Sequence, residues 1–266
     1  MLRVRIYNTW DNVAKQSAEG ERELTLCYTG EYRRNDVIEF SGLERARFYR
    51  ITVDNAVGEA LVYVRTDCIR YPVPFYEERE SYDPRAFSGS RHYIRICLAE
   101  RWETGGMRNL ARNPFDRHEV EGVYPHASAN VETRGEAVFA ARNAIDGIVA
   151  VQGHGEWPYS SWGINRRADA EIRIDFGRAV DIREARLYTR ADFPHDNWWT
   201  AACLCFSDGT EEALRMEKSL GAPHIFSGLD RRRVKWVLLR GLRQSSEPSP
   251  FPALTQIELI GEESEG

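Results

Sequence analysis

The sequence predicts an all-β protein built as two β-sandwiches, the second with one short helix. Three observations lead there. Short runs rich in Val, Ile, Tyr and Phe recur along both halves, punctuated by Gly, Asn, Asp and Pro. Within them apolar and polar residues alternate. In RITVD, Ile51 and Val53 share one face while Arg50, Thr52 and Asp54 share the other, the signature of a half-buried strand. Such strands follow one another at short intervals, which indicates a sandwich and not a parallel α/β sheet.

In chain order, the first hundred residues offer LTLCYTG (24–30), DVIEFSG (36–42), RFYRITVDN (47–55), EALVYVRT (59–66) and RHYIRICLA (91–99) as strands. The insert YPVPFYEERESYDPRAF (71–87) combines proline, aromatics and charge. It is too apolar for a loose linker, so it is expected as an ordered loop packed on the sandwich or on a neighbour. Residues 100–123 carry few β-branched residues and mark the boundary, giving domains at 1–110 and 120–262. In the second half, Thr133 and Glu136 have capping-box spacing before EAVFAARNAI, the expected helix, which stops at Asp146-Gly147. Strands follow at 170–177, 182–190, 200–209, 234–242 and 254–261, with hairpin-turn chemistry at Ser207-Asp208-Gly209-Thr210.

Bulk properties exclude several function classes. The net charge of −5 gives no general attraction to nucleic acid, and the basic run Asp230–Lys235 reads as a solvated turn before a strand. No apolar run is long enough to span a membrane, and MLRVRIYNTWDN lacks the apolar core of a secretory signal. The expectation is a soluble, cytoplasmic protein; homo-oligomerisation is left open. Five cysteines, odd in number and widely spaced, read as buried thiols rather than a disulfide framework. Cys203 and Cys205 share one face of a strand, but no His or Cys elsewhere completes a zinc spacing.

Several segments carry a family resemblance: ASANVETRGEAVFAARNAIDG, the Trp162 region, EIRIDFGRAVDI, ARLYTR, WWTAACLCFSDGT, VKWVLLRGL and QIELIG. In this order, over about half the chain, they resemble the discoidin, or coagulation-factor C-type, domain. This belongs to the galactose-binding-like jelly rolls, which include many carbohydrate-binding modules. Residues 1–110 resemble no known sugar-binding family. The resemblance implies a lectin-like jelly roll with ligands at end loops. It also implies a structural calcium, for which Asp146 and Glu258 stand at matching positions. IVAVQGHG, after Asp146, brings none of the further side-chain oxygens the family uses there, and calcium takes six to eight oxygens. The alternative for the pair is a turn cap and a surface strand residue. No organic cofactor is implied.

Two loops would meet at one end of this fold, 153–165 and 190–199. Sugar recognition needs an aromatic face against the C–H side of the ring and fixed polar groups for its hydroxyls. The first loop offers His154, Trp157, Tyr159 and Trp162. The second offers Arg190, Asp192, His195, Asp196, Asn197 and Trp198, and His126 enters near the same end. Each has a plainer role available. Trp162 can face the core, and Trp199, opposite to Trp198 on a strand, is expected there. Asp192 and Asp196 can turn the loop, and Arg190 can be a buried ion-pair partner of Asp192 or Glu156.

Carbohydrate binding is therefore the first expectation. A sugar-acting enzyme on the same loops is the alternative: a polysaccharide lyase using His, Tyr and Arg, or a glycoside hydrolase using Glu156 with Asp192 or Asp196. A non-catalytic protein-interaction sandwich is the third. Nucleophile-elbow, phosphate-loop and dinucleotide-binding motifs are absent from the sequence.

Overall fold

The computed structural model describes residues 1–151 and 153–264. The chain is almost entirely β. In the first half eight strands run in order: β1 Leu2–Asn8, β2 Ala14–Gly20, β3 Glu23–Tyr28, β4 Asp36–Ser41, β5 Arg47–Thr52, β6 Glu59–Val64, β7 Cys68–Pro72 and β8 His92–Leu98. The second half contributes β9 Arg108–Asn109, β10 Val123–Tyr124, β11 His126–Ala129, β12 Trp162–Gly163, β13 Ile172–Thr189, β14 Trp199–Phe206, β15 Glu211–Arg215, β16 His224–Gln244 and β17 Ala253–Glu263.

The first half is a sandwich of two antiparallel sheets, ordered β2-β1-β4-β7 and β10-β6-β5-β8-β3. Alternation decides what is buried: β3 points Leu24, Leu26 and Tyr28 inward, and β6 points Ala60, Val62 and Val64 inward. Both sheets feed one core that includes Ile6, Phe40, Tyr49, Ile51 and Ile94. The expected strands at 24–66 and 91–99 are present. β1, not among the expected strands, obeys the same rule with Leu2, Val4 and Ile6. The insert 71–87 is ordered. It carries a 3-10 turn at Tyr76–Ser81 and buries Tyr82 and Phe87 in the first core.

The second half is organised on three strands in the order β17-β13-β16, extended by β14 and β15 on one side and β12 on the other. β13 is longer than expected because 170–177 and 182–190 join into one strand across bulges between Asp175 and Glu184. It bends at Gly177, whose positive φ of 66° and packing against the Tyr124 ring leave no room for a Cβ. The bend lets the first part of β13 pair with β11 and the second with β17. Trp162, Ile172, Phe176, Leu187, Trp199, Leu204 and Leu254 fill a second core.

Three expectations change. Of the five cysteines expected as buried thiols, Cys205 is buried, Cys68, Cys97 and Cys203 are partly exposed, and Cys27 is exposed. The basic run at 230–235 is not a turn before a strand but lies within β16. Neighbouring acids balance it: Arg231 pairs with Glu212, and Arg232 with Asp230 and Asp181. The expected helix is instead three 3-10 turns, Thr133–Gly135, Ala137–Phe139 and Ala141–Ala144. Arg134 in left-handed conformation and extended Glu136 and Ala140 interrupt the helical ladder. Side chains supply bonds in its place: Glu132 accepts from Ala141 N at 2.7 Å, and Asn143 Nδ2 donates to Ala137 O at 2.9 Å. Thr133 caps nothing; its Oγ1 accepts from Asn165 N at 2.9 Å.

The boundary stretch stitches the halves instead of spacing them. β9 joins β17 of the second half while β10 joins β6 of the first. Leu110 lies in the second core and Phe115 in the first. Arg142 is the polar counterpart of this stitching. Its buried guanidinium donates to Asp116 O at 2.8 Å, Pro114 O at 2.7 Å, Asn143 Oδ1 at 3.0 Å and Ser81 Oγ at 3.2 Å. It stacks on Tyr82 at 4.2 Å.

Arg142→Ala removes these donors and strands their buried acceptors, at a cost of about 3 kcal/mol. The expected result is a lower urea midpoint with far-ultraviolet circular dichroism of the folded state retained; an unchanged midpoint would show that Arg142 does not hold the halves together.

Candidate functional site

The end loops are built around Arg190, which leaves β13 with its side chain completely buried. Its Nε and Nη2 grip Asp192 at 2.9 and 2.6 Å, Nη1 donates to Tyr159 O at 2.7 Å, and Nη2 donates to Gly153 O at 3.1 Å. One guanidinium thus ties loop 190–199 to loop 153–165. Asn197 ties the same loop to the segment before β17. Its Nδ2 donates to Glu247 O and Ser249 O at 3.0 and 2.8 Å, and its Oδ1 accepts from Ser245. Three strands of backbone therefore converge, and His195 sits among them.

His195 is 6% exposed. Its Nδ1 lies 2.8 Å from Phe251 O. A carbonyl only accepts, so Nδ1 carries the proton and Nε2 is left as a bare acceptor. Nε2 is buried and has no hydrogen-bond partner among the described residues. Burial, reinforced by the Arg190 charge, holds the imidazole pKa down to about 4, so the ring is neutral at ordinary pH. It lines a cavity of about 140 Å³ whose apolar walls are Phe139, Pro194 and Phe251. The rings of Phe139 and Phe251 have centroids 6.3 Å from His195, and His154 is 5.6 Å away. Arg166, over the Phe251 ring at 4.7 Å, and Arg134 complete the rim with donors.

A larger cavity of about 620 Å³ adjoins it, sharing Phe139, His154 and Arg134. Its far wall is the insert of the first half, with Glu77, Glu78 and Glu80. Ion pairs run along its sides: Arg117 with Glu78 and Glu119, His118 with Glu132, Arg134 with Glu136. The Glu132 partner raises the His118 pKa, and the Arg134 partner lowers that of Glu136.

Of the residues expected at the site, His154 and His195 line the small cavity, and His154 and Tyr159 the large one. Arg190, Asp192 and Asn197 hold the loops. Trp162 and Trp199 are core residues with centroids 6.2 Å apart, and Trp162 Nε1 donates to Val131 O. Trp157 and Trp198 are half-buried and line neither cavity; Trp198 lies under Lys218 at 5.6 Å. His126 stays on β11, with Nδ1 2.8 Å from Asp116, which raises its pKa. Phe139, Phe251, Arg134 and Arg166 were absent from the expectation. The PSPFP segment (248–252), rigid and aromatic just before the last strand, was the legible signal for Phe251.

Asp146 and Glu258, the pair considered for calcium, each have a partner within the protein. Asp146 accepts from Ile148 N at 2.7 Å, and Arg142 and Arg112 are the charges nearest to it; burial pushes its pKa up to about 7. Glu258 faces Arg186 at 3.6 Å.

No protein family and no curated protein matches the chain. Solved structures of similar shape include a Streptococcus pneumoniae fucose-binding module, 13% identical with a TM-score of 0.41, covering 59% of this chain and 97% of that one. The lectin domain of lectinolysin complexed with Lewis B antigen is 19% identical with a TM-score of 0.40, covering 57% and 95%. Chitosan-binding module 1 of a chitosanase/glucanase from Paenibacillus sp. IK-5 is 17% identical with a TM-score of 0.39, covering 58% and 99%.

Because the folded His195 takes up its proton only near pH 4, while the unfolded chain does so near 6.5, unfolding binds a proton between those values. The contribution of His195 to stability is complete above about pH 6.5 and is lost as pH falls through that window. Nitrogen-15 NMR of the ring is expected to show the Nδ1–H tautomer at pH 7 and a midpoint near 4; a midpoint near 6.5 would contradict the geometry.

Proposed function

We propose that the chain is a carbohydrate-binding protein, that residues 120–262 form a galactose-binding-like jelly roll, and that the ligand enters beside His195. The observation that carries this is a neutral imidazole with an unpartnered Nε2, in the wall of a cavity that Phe139 and Phe251 also line. A pyranose has a C–H face for an aromatic wall and hydroxyls that donate to such an acceptor. The cavity volume, about 140 Å³, equals that of about five waters, the scale of one sugar ring. Arg134, Arg166 and His154 supply donors at the rim for ring and hydroxyl oxygens. Among the described residues the buried cation behind the pocket is Arg190, and it is consumed by Asp192 and two carbonyls. A neutral sugar suits it better than a uronate. The engagement of Asp192 by Arg190 likewise supports binding over two-carboxylate hydrolysis.

On a glycan array the protein is expected to bind neutral pyranose glycans saturably. His195→Ala removes the acceptor and weakens binding about tenfold, the worth of one hydrogen bond of about 1.4 kcal/mol. Phe251→Ala weakens it comparably, while Trp198→Ala leaves it unchanged. Calorimetry on a binding glycan measures each value, with circular dichroism as the control for folding. A protein that binds no glycan overturns the proposal.

A further inference from the structure

The outer face of β14 carries a second cluster that the sugar site does not use. Leu204 and Phe206 point into the core, so Cys203 and Cys205 point the other way. The ladder places Glu211 of β15 directly opposite Cys205, and Arg240 of β16 opposite Cys203. The two Sγ atoms are 3.8 Å apart. Glu211 reaches both thiols, with Oε2 3.6 Å from Cys203 Sγ and Oε1 3.4 Å from Cys205 Sγ. Together the three side chains form a group of ligand atoms all within 4.8 Å of one another.

These separations are those of ligands around a single ion. With Zn–S of about 2.3 Å and Zn–O of about 2.1 Å, tetrahedral geometry puts two sulfurs about 3.8 Å apart and each sulfur about 3.6 Å from the oxygen. We infer that Cys203, Cys205 and Glu211 bind a thiophilic divalent cation of the zinc or cadmium class, with a fourth, solvent-facing position left to water. Softness favours this class, because two thiolates select zinc-like ions over magnesium or calcium. Charge agrees too. Two thiolates and a carboxylate exceed a divalent cation by one negative charge, and the Arg240 guanidinium, 2.7 Å from Glu211, supplies the balance. Arg240 also fixes the carboxylate, as a partner behind a ligand should. Cysteine binds a metal as the thiolate, so binding displaces the thiol protons. The contacts Cys27, Cys68 and Cys97 make do not reach this group, which leaves them as internal controls.

The test is titration of the full chain, free of any histidine tag, with cadmium and then zinc. The expected result is one ion per chain, an ultraviolet thiolate-to-cadmium charge-transfer band, and release of about two protons per ion. The band is lost in Cys203→Ser and Cys205→Ser. Glu211→Gln, a surface change that cannot unfold the sheet, weakens zinc at least tenfold, and Arg240→Gln weakens it by about tenfold. A folded protein with no band, or affinity undiminished in the Cys203→Ser/Cys205→Ser double variant, means thiols that only hydrogen-bond to Glu211 and overturns the inference.

Discussion

The burial of Arg190 is the constraint on which the candidate site depends. A guanidinium cannot lose its charge inside a protein, so each of its donors must find an acceptor. Here the acceptors come from two loops that sequence separates by more than thirty residues: Asp192 beside it, and the carbonyls of Gly153 and Tyr159. Satisfying the charge forces those loops together. The same arrangement places a positive charge behind His195, which helps to keep that ring neutral. Loop geometry and imidazole chemistry thus have one cause.

A second buried guanidinium does comparable work between the halves. Arg142 lies where the 3-10 turns, the boundary stretch and the insert of the first half meet, and its acceptors come from all three. The consequence is functional. The insert forms one wall of the larger cavity, and the turns form the wall that this cavity shares with the His195 pocket. The first half therefore shapes the approach to a site whose chemistry belongs to the second.

Strand identity was legible because it is a local property: Ile51 and Val53 alternate with polar neighbours whatever the rest of the chain does. The long strands were legible only in pieces. Bulges around Gly177 and in the basic run interrupt the period of two, so the pattern alone divides β13 in two and starts β16 late, after a turn. The expected helix fails for the opposite reason. EAVFAARNAI has helical composition, yet Glu132 and Asn143 bond to its backbone and hold it in separate turns.

The sequence by itself determined the all-β class, the two halves and the two loops that carry polar and aromatic groups. Those follow from composition and from a period that each strand displays alone. Only the tertiary structure decided what each group does. Arg190, Asp192 and Asn197 hold the loops, Trp162 and Trp199 fill the core, and His195, with an unpaired ring nitrogen, lines a cavity. Phe251 and Glu211 joined their clusters across a sheet, from strands and loops that no local pattern links. The reason is physical. A polar side chain's role depends on which of its hydrogen bonds are already made, and those partners lie far away along the chain.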